Sequence, residues 1–290
     1  MAVSSEFSKR AAGEWRILAL DELWNARLQE RVLALVRAQA PARHPQTIEV
    51  SDVVDGVEAR FFLKVFHRSS LLTALKDQFR LSRAFGSWRQ GMALAALGFN
   101  APSAIAVGKQ RGLQVARREF ILTARIDGMA LTTFLSPNCA SHPASLSYKR
   151  DNIRVLARLV RRFHDAGFVH GDLVASNLFL RPGGGSAVEF YFMDNDRTRR
   201  YPSWLPQPFW RRNLIQLNRM PLPGISLQDR MRFLHAYLDV KRLSKAERRF
   251  AHWLEARTRQ RRKECDGADT TGSFRRLMRW TPEIAGAKTT

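Results

Sequence analysis

Residues 170–177 read HGDLVASN, and the apolar run VEFYFM at 188–193 leads straight into Asp194, Asn195 and Asp196. This pairing constrains the chain more than any other feature. The helix-like LARLVRRFHDAGFV precedes the loop, and RPGGGS between loop and second acid suits a tight turn joining two short strands. Helix, loop, strand, turn, strand and acid then form one unit. It carries a carboxylate at Asp172, an amide five residues later at Asn177, and a further carboxylate at the end of an apolar strand.

Those side chains are what phosphoryl transfer asks for. One carboxylate must sit near the incoming hydroxyl, and two oxygen ligands must hold the magnesium that bridges the nucleotide phosphates. The run therefore reads as the catalytic loop and metal-binding end of a protein-kinase-like phosphotransferase. Asp172 is the expected general base, a role worth roughly 10²–10⁴ in rate. Asn177 and Asp194 are the expected Mg²⁺ ligands. Asp196 is the rival to Asp194, which is favoured because it directly follows the apolar strand. An isolated HGD would be read as a loop whose histidine and aspartate satisfy backbone donors. The helix before it and the acid after it favour chemistry.

Upstream, TIEVSDVV and EARFFLKVF flank Asp55 and Gly56, a hairpin signal. Lys64 alternates with apolar neighbours in the second run, as a lysine reaching α- and β-phosphates would. No GxGxxG precedes it, so phosphate cover would fall to the loop APARHPQT, with Arg43 and His44 as candidate contacts. Thr123, in FILTARIDG, completes the candidate ATP-binding set. Between His67 and Arg118 the only acid is Asp77, so the helix glutamate that usually pairs the strand lysine is missing.

Across the 290 residues, 45% are apolar, enough for a real core, and no run of 18 uninterrupted apolar residues occurs. The first residues lack a signal peptide's apolar middle, so a cytosolic protein is expected. Cys139 and Cys265 have no CxxC or histidine partner and are expected to be free thiols. The formal charge of +22 implies attraction to polyanions. It peaks between Lys241 and Lys263, where a solvated helix face and an anionic-membrane patch are both open readings. No zinc-finger spacing or RNP-type run points to specific nucleic acid.

Helical spacing of Leu20, Trp24, Leu28, Val32 and Leu35 predicts an amphipathic helical extension over residues 1–40, packed on the small lobe or lying on a bilayer. Residues 41–127 read as a small nucleotide-binding lobe, with hairpin, a helix over Leu71–Leu97, and strands in APSAIAVG and GLQVARREFILTARIDG. Residues 128–270 read as a mainly helical large catalytic lobe. Within it SPNCASHPAS is a loop and a basic helix spans Ser147–Ala166. Residues 271–290 form a short tail. The predicted class is α+β, a two-lobed protein-kinase-like fold with a small antiparallel-sheet lobe carrying one long helix. After Asp194 there is no APE, and prolines 202, 206 and 208 in RTRRYPSWLPQPFWRRN exclude a helix there. Tyr201, Trp204, Phe209 and Trp210 lie among arginines in this stretch. They either bind a substrate that is part sugar-phosphate and part lipid, or pack the loop to the large lobe.

The order of blocks from about Phe62 to Met220 (LKVF, SRAFGSWRQGMALAALGFNAPSAIAVG, FILTARIDG, FHDAGFVHGDLVASNLFL, FMDNDRTRR, RRNLIQLNRM) resembles the lipopolysaccharide kinase family. The resemblance implies an ATP- and Mg²⁺-dependent kinase. Its acceptor would be a hydroxyl of a Kdo or heptose in the lipopolysaccharide inner core, at the cytoplasmic face of the inner membrane. By position it gives Lys64 to the nucleotide, Asp172 as base, Asn177 and Asp194 to the metal, and Ser87 to the place of the helix glutamate. Two alternatives remain: a catalytically impaired kinase-like regulator that binds nucleotide or lipid, and an aminoglycoside-type small-molecule phosphotransferase.

Overall fold

The computed structural model describes residues 7–42, 44–54, 57–68, 82–111, 117–135, 146–182, 188–202, 208–219 and 225–266. The chain divides into two compact units, residues 1–127 with 194–197, and residues 128–193 with 198–290.

The first unit is built on a six-stranded antiparallel sheet. Its strands are β1 (Phe7–Ala12), β2 (Trp15–Leu20), β3 (Gln46–Val54), β4 (Val57–Arg68), β5 (Ala104–Gln110) and β6 (Arg117–Ala124), in spatial order β1-β2-β5-β6-β4-β3. The hairpin read around Asp55 and Gly56 is present as the β3–β4 pair, closing at Val54 opposite Val57; the turn itself lies outside the described residues. Alternation in β4 sends Phe61, Leu63 and Val65 to one face and Lys64 and Phe66 to the other. Helix α1 (Ala26–Ala38) covers the first face with Leu28, Val32, Leu33 and Val36. Burying each such side chain stabilises the fold by roughly 1.5–3 kcal/mol. Helix α2 (Arg83–Ala96) covers the second, where Ala84, Phe85 and Trp88 meet Phe66, Val107 and Ile121. Residues 71–81 of the predicted long helix lie outside the described residues. Gly98, at φ +70°, ends α2, with the Phe99 N–H returning to the Leu94 carbonyl at 3.0 Å.

The N-terminal region departs from the helical reading of residues 1–40. Leu20 closes β2, and the helix starts only at Ala26, behind Asn25, whose Oδ1 accepts the Leu28 N–H at 2.8 Å. Upstream of it the stronger pattern is period two. Trp15, Ile17 and Ala19 are all buried, and they add strands to the sheet. Trp24 then packs on Phe120 beneath them.

The second unit contains β7 (Met129–Ala130), α3 (Leu131–Phe134), α4 (Leu146–Asp165), β8 (Phe168–Val169), β9 (Leu178–Pro182), β10 (Val188–Phe192), β11 (Arg199–Arg200), α5 (Pro208–Asn218), α6 (Leu227–Leu238) and α7 (Lys245–Asp266). Strands β10, β9 and β7 form one antiparallel sheet, and β8 pairs with β11. The predicted loop at 136–145 and the turn at 183–187 lie outside the described residues. Phe163 stacks on Phe192 at 4.4 Å and on Phe168 at 5.3 Å, locking α4 to the strands. Ser226 and Asp229 form a reciprocal capping box on α6. Helices α3 to α7, with Phe190 of β10, line an open, mainly apolar pocket of about 310 Å³.

Pro208 is a correction to the expectation that its stretch excludes a helix. It is the first residue of α5, where a proline's fixed φ suits the helix and its missing N–H costs nothing. Of the aromatics there, Trp204 lies outside the described residues. Tyr201 stacks on Phe209 at 5.0 Å, and Trp210 packs on Tyr237 and Phe250 within this unit. On α7, Arg248, Arg249, Arg257, Arg259 and Arg261 are exposed, whereas Arg262 is only 3% exposed. No described helix is long and apolar enough to cross a membrane.

Gly167 ends α4 at φ +84°, and an added Cβ would run into the Tyr201 carbonyl oxygen. Gly167→Ala is expected to lower unfolding free energy by about 2 kcal/mol or more, read from denaturant midpoints of the purified chain.

Candidate active site

In the second unit the loop carrying Asp172 is held from behind by α5. Asn213, fully buried, accepts the His170 N–H with its Oδ1 at 2.9 Å and donates Nδ2 to the His170 carbonyl at 2.5 Å. One turn on, Gln216 accepts the Leu173 N–H at 3.2 Å, donates to the Gly171 carbonyl at 3.2 Å and reaches Asp172 Oδ1 at 3.4 Å. His170 bridges forward, with Nε2 donating to the Met193 carbonyl at 2.7 Å and Nδ1 accepting the Asp172 N–H at 3.2 Å. The Met193 N–H returns to the Asn177 carbonyl at 2.9 Å. His170 therefore does satisfy the backbone, and in doing so it joins the loop to the strand end that leads into Asp194.

Asn177 lies in a short 3₁₀ turn, Ala175–Asn177, and its Nδ2 donates to the Asp172 carbonyl at 2.9 Å. Its amide nitrogen is thus committed, and its oxygen is the atom left to coordinate a cation. Asp172 is half-buried. Its contact to Gln216 orients the carboxylate while leaving acceptor capacity for a proton.

Behind Asn213 lies His164, 2% exposed. Because Asn213 Nδ2 points at His170, its Oδ1 must accept from His164 Nε2–H at 3.2 Å. Nδ1 then accepts from the Tyr237 hydroxyl at 2.9 Å. Burial, partly offset by the Asn213 hydrogen bond, pushes His164 from an ordinary 6.5 down to about 4. The unfolded chain takes up this proton near pH 6.5 and the folded chain only near 4. The stability present above the first value is therefore lost as pH falls through the second.

In the first unit, Lys64 projects from β4 on the α2 face and is ion-paired to Asp194. Thr123 occupies the same face of neighbouring β6, opposite Phe62, with its hydroxyl donating to the Phe62 carbonyl at 3.4 Å. His44 is exposed in the bend before β3, and Arg43 lies outside the described residues. Ser87 is half-buried on α2. Lys64 thus has an acid partner, and it comes from the DND segment rather than from the helix. Asp194 adopts φ +55°, a left-handed conformation that aspartate tolerates better than most residues. Asp196 is different: its side chain is 3% exposed and ion-paired to Arg83.

Sequence reasoning missed Asn213, Gln216, Tyr237 and Arg83. Local signal for the first three was slight, since an Asn and a Gln three apart on a helix ordinarily mark nothing. Arg83 fell inside the helix read over Leu71–Leu97, where nothing marked it; in the structure it is the first residue of α2. Among the described residues no three His, Cys, Asp or Glu gather as a ready-made metal cluster. A magnesium site of one carboxylate and one amide, completed by nucleotide oxygens, has no such cluster either.

An antiparallel sheet bearing a paired lysine, with an HGD loop clamped in a mainly helical unit, defines a kinase-type phosphotransferase. A model of the lipopolysaccharide kinase (Kdo/WaaP) family matches residues 38–237, and the chain belongs to that family. A solved structure described as WaaP in complex with acyl carrier protein is similar in fold, with a TM-score of 0.59 at 21% identity, over 83% of this chain and 97% of that one. No match was found among curated proteins.

Between pH 7 and pH 5 the unfolding free energy is expected to fall by about 2 kcal/mol through His164. Denaturant titration at both values should show His164→Gln losing that part of the slope.

Proposed function

We propose that this chain transfers the γ-phosphoryl group of ATP to a hydroxyl of a lipopolysaccharide inner-core sugar, Kdo or heptose. The observation that carries the reading is the double clamp of Asn213 and Gln216 on the loop that bears Asp172. A buried amide, Asn213, and a half-buried one, Gln216, holding the loop pre-orient one carboxylate, which is what a general base needs. Asp172 would take the acceptor hydroxyl's proton. Asn177, through its side-chain oxygen, and Asp194 would hold Mg²⁺, which when bound neutralises charge on the β- and γ-phosphates. Lys64 would contact the α- and β-phosphates, with Thr123, Arg43 and His44 bordering the nucleotide.

The +22 charge favours an anionic sugar-phosphate acceptor and an anionic membrane surface, consistent with work at the inner face of the inner membrane. The same charge disfavours a cationic aminoglycoside. The retained base and metal ligands disfavour a purely regulatory module. The test is phosphate transfer from labelled ATP to purified deep-core lipopolysaccharide. Asp172→Ala and Asp194→Ala should each lose at least about 10²-fold in rate. Equal labelling by wild type and both variants would remove the reading.

The pocket in the second unit favours a second partner. It is lined by Leu131, Phe134, Leu156, Leu214, Leu234 and Leu254, apolar side chains that suit an alkyl chain, and the WaaP structure of similar fold is in complex with acyl carrier protein. An acyl carrier protein bearing a long acyl chain is expected to raise the melting temperature of this chain. The unacylated carrier should not, and Leu234→Trp should abolish the difference.

A further inference from the structure

The missing helix acid leaves a mechanical question, since in a kinase that acid ties the helix beside the sheet to the nucleotide lysine and the metal-binding segment. Here α2 starts under tight control. Glu119 of β6, 3% exposed, accepts Ser82 Oγ at 2.6 Å and the Ala84 N–H at 3.3 Å, placing a carboxylate at the helix N-terminus. Ser82 in turn caps Phe85. Between these two anchored residues stands Arg83.

The Arg83 guanidinium meets Asp196 through both Nε, at 3.1 Å, and Nη2. It also lies over the Phe66 ring at 5.0 Å, and Lys64 lies over the same ring at 5.3 Å. Two cations therefore share one aromatic platform on β4, and each takes one acid of the DND segment, Lys64 with Asp194 and Arg83 with Asp196. Asp196 sits in the 3₁₀ turn Asn195–Arg197, which packs against α2. Asp194 enters that turn in its left-handed conformation. Fixing the turn by its buried carboxylate fixes the direction in which Asp194 leaves the chain. The same contact removes Asp196 from the competition for metal.

We infer that Arg83 and Asp196 are positioning residues that replace the helix glutamate, tying α2 to the DND turn so that Asp194 is presented to a magnesium-bound nucleotide. The inference rests on the proposed phosphotransferase reading for what Asp194 holds. It adds two residues which act through Asp194 without touching nucleotide.

The test is calorimetric titration of the full chain with ADP, in magnesium and in EDTA, for wild type, Arg83→Gln, Arg83→Lys and Asp196→Asn. Arg83→Gln and Asp196→Asn should each weaken magnesium-dependent binding on the order of 10-fold, as loss of a ligand-orienting partner does, and leave EDTA binding unchanged. The double variant should be no weaker than the weaker single. Lysine cannot fork onto Asp196 while stacking on Phe66, so Arg83→Lys should fall measurably below wild type, and it serves if the glutamine variant does not fold. Parity of any folded variant with wild type overturns the tether, as does an equal loss in magnesium and EDTA, which is the mark of a merely structural role. The expected pattern in a chain that phosphorylates no acceptor would uphold the tether and remove the proposed reaction. Transfer without the pattern would remove the tether alone.

Discussion

One buried amide organises the second unit. Asn213 uses both ends of its side chain on the backbone of His170 and takes a third contact from His164, so a helix, a loop and α4 meet at a single polar point inside apolar surroundings. Such a point is costly to leave half made, because an unpaired buried donor or acceptor loses about 1–3 kcal/mol. The arrangement therefore behaves as all or nothing. Either the loop has the backbone geometry that satisfies Asn213, and Asp172 follows from it, or three groups lose partners together.

In the first unit three carboxylates set the geometry. The chain has 48 basic and 26 acidic residues, and two buried carboxylates and one exposed one each hold a partner here. Glu119 restrains the start of α2, Asp196 holds Arg83, and Asp194 faces Lys64. Phe66 gives both cations a ring to lie on. Removing any of these acids would leave an arginine, a lysine or a helix start without its counter-charge.

Much of this architecture could be read from the residues alone. The α+β class, the hairpin carrying Lys64, the basic helix that became α4 and the pair of strands around 183–187 all follow patterns two or four residues long, which local sequence records faithfully. The N-terminal strands did not, because Leu20, Trp24 and Leu28 happen to fall at helical spacing across a strand end, a turn and a helix. Pro208 misled for a related reason, since a proline forbids a helix interior and favours a helix start. In the candidate site, the loop's reactive residue types announce themselves by spacing. Its supports, Asn213 and Gln216, lie some forty residues away, where only three-dimensional closure gives them meaning. Arg83 and Asp196 are separated still further, and nothing in either neighbourhood names the other.

The first hairpin carries one more implication. Because β2 pairs with β5, residues 15–19 shield the backbone of a strand that would otherwise end the sheet, and Trp15 and Ile17 roof the Phe120 cluster. The outermost strand, β1, ends the sheet with Lys9 and Arg10, charges that discourage another chain from docking edge to edge. A shortened protein lacking this segment would present the bare side of β5 and a patch of uncovered aromatic surface, inviting self-association well away from any chemistry.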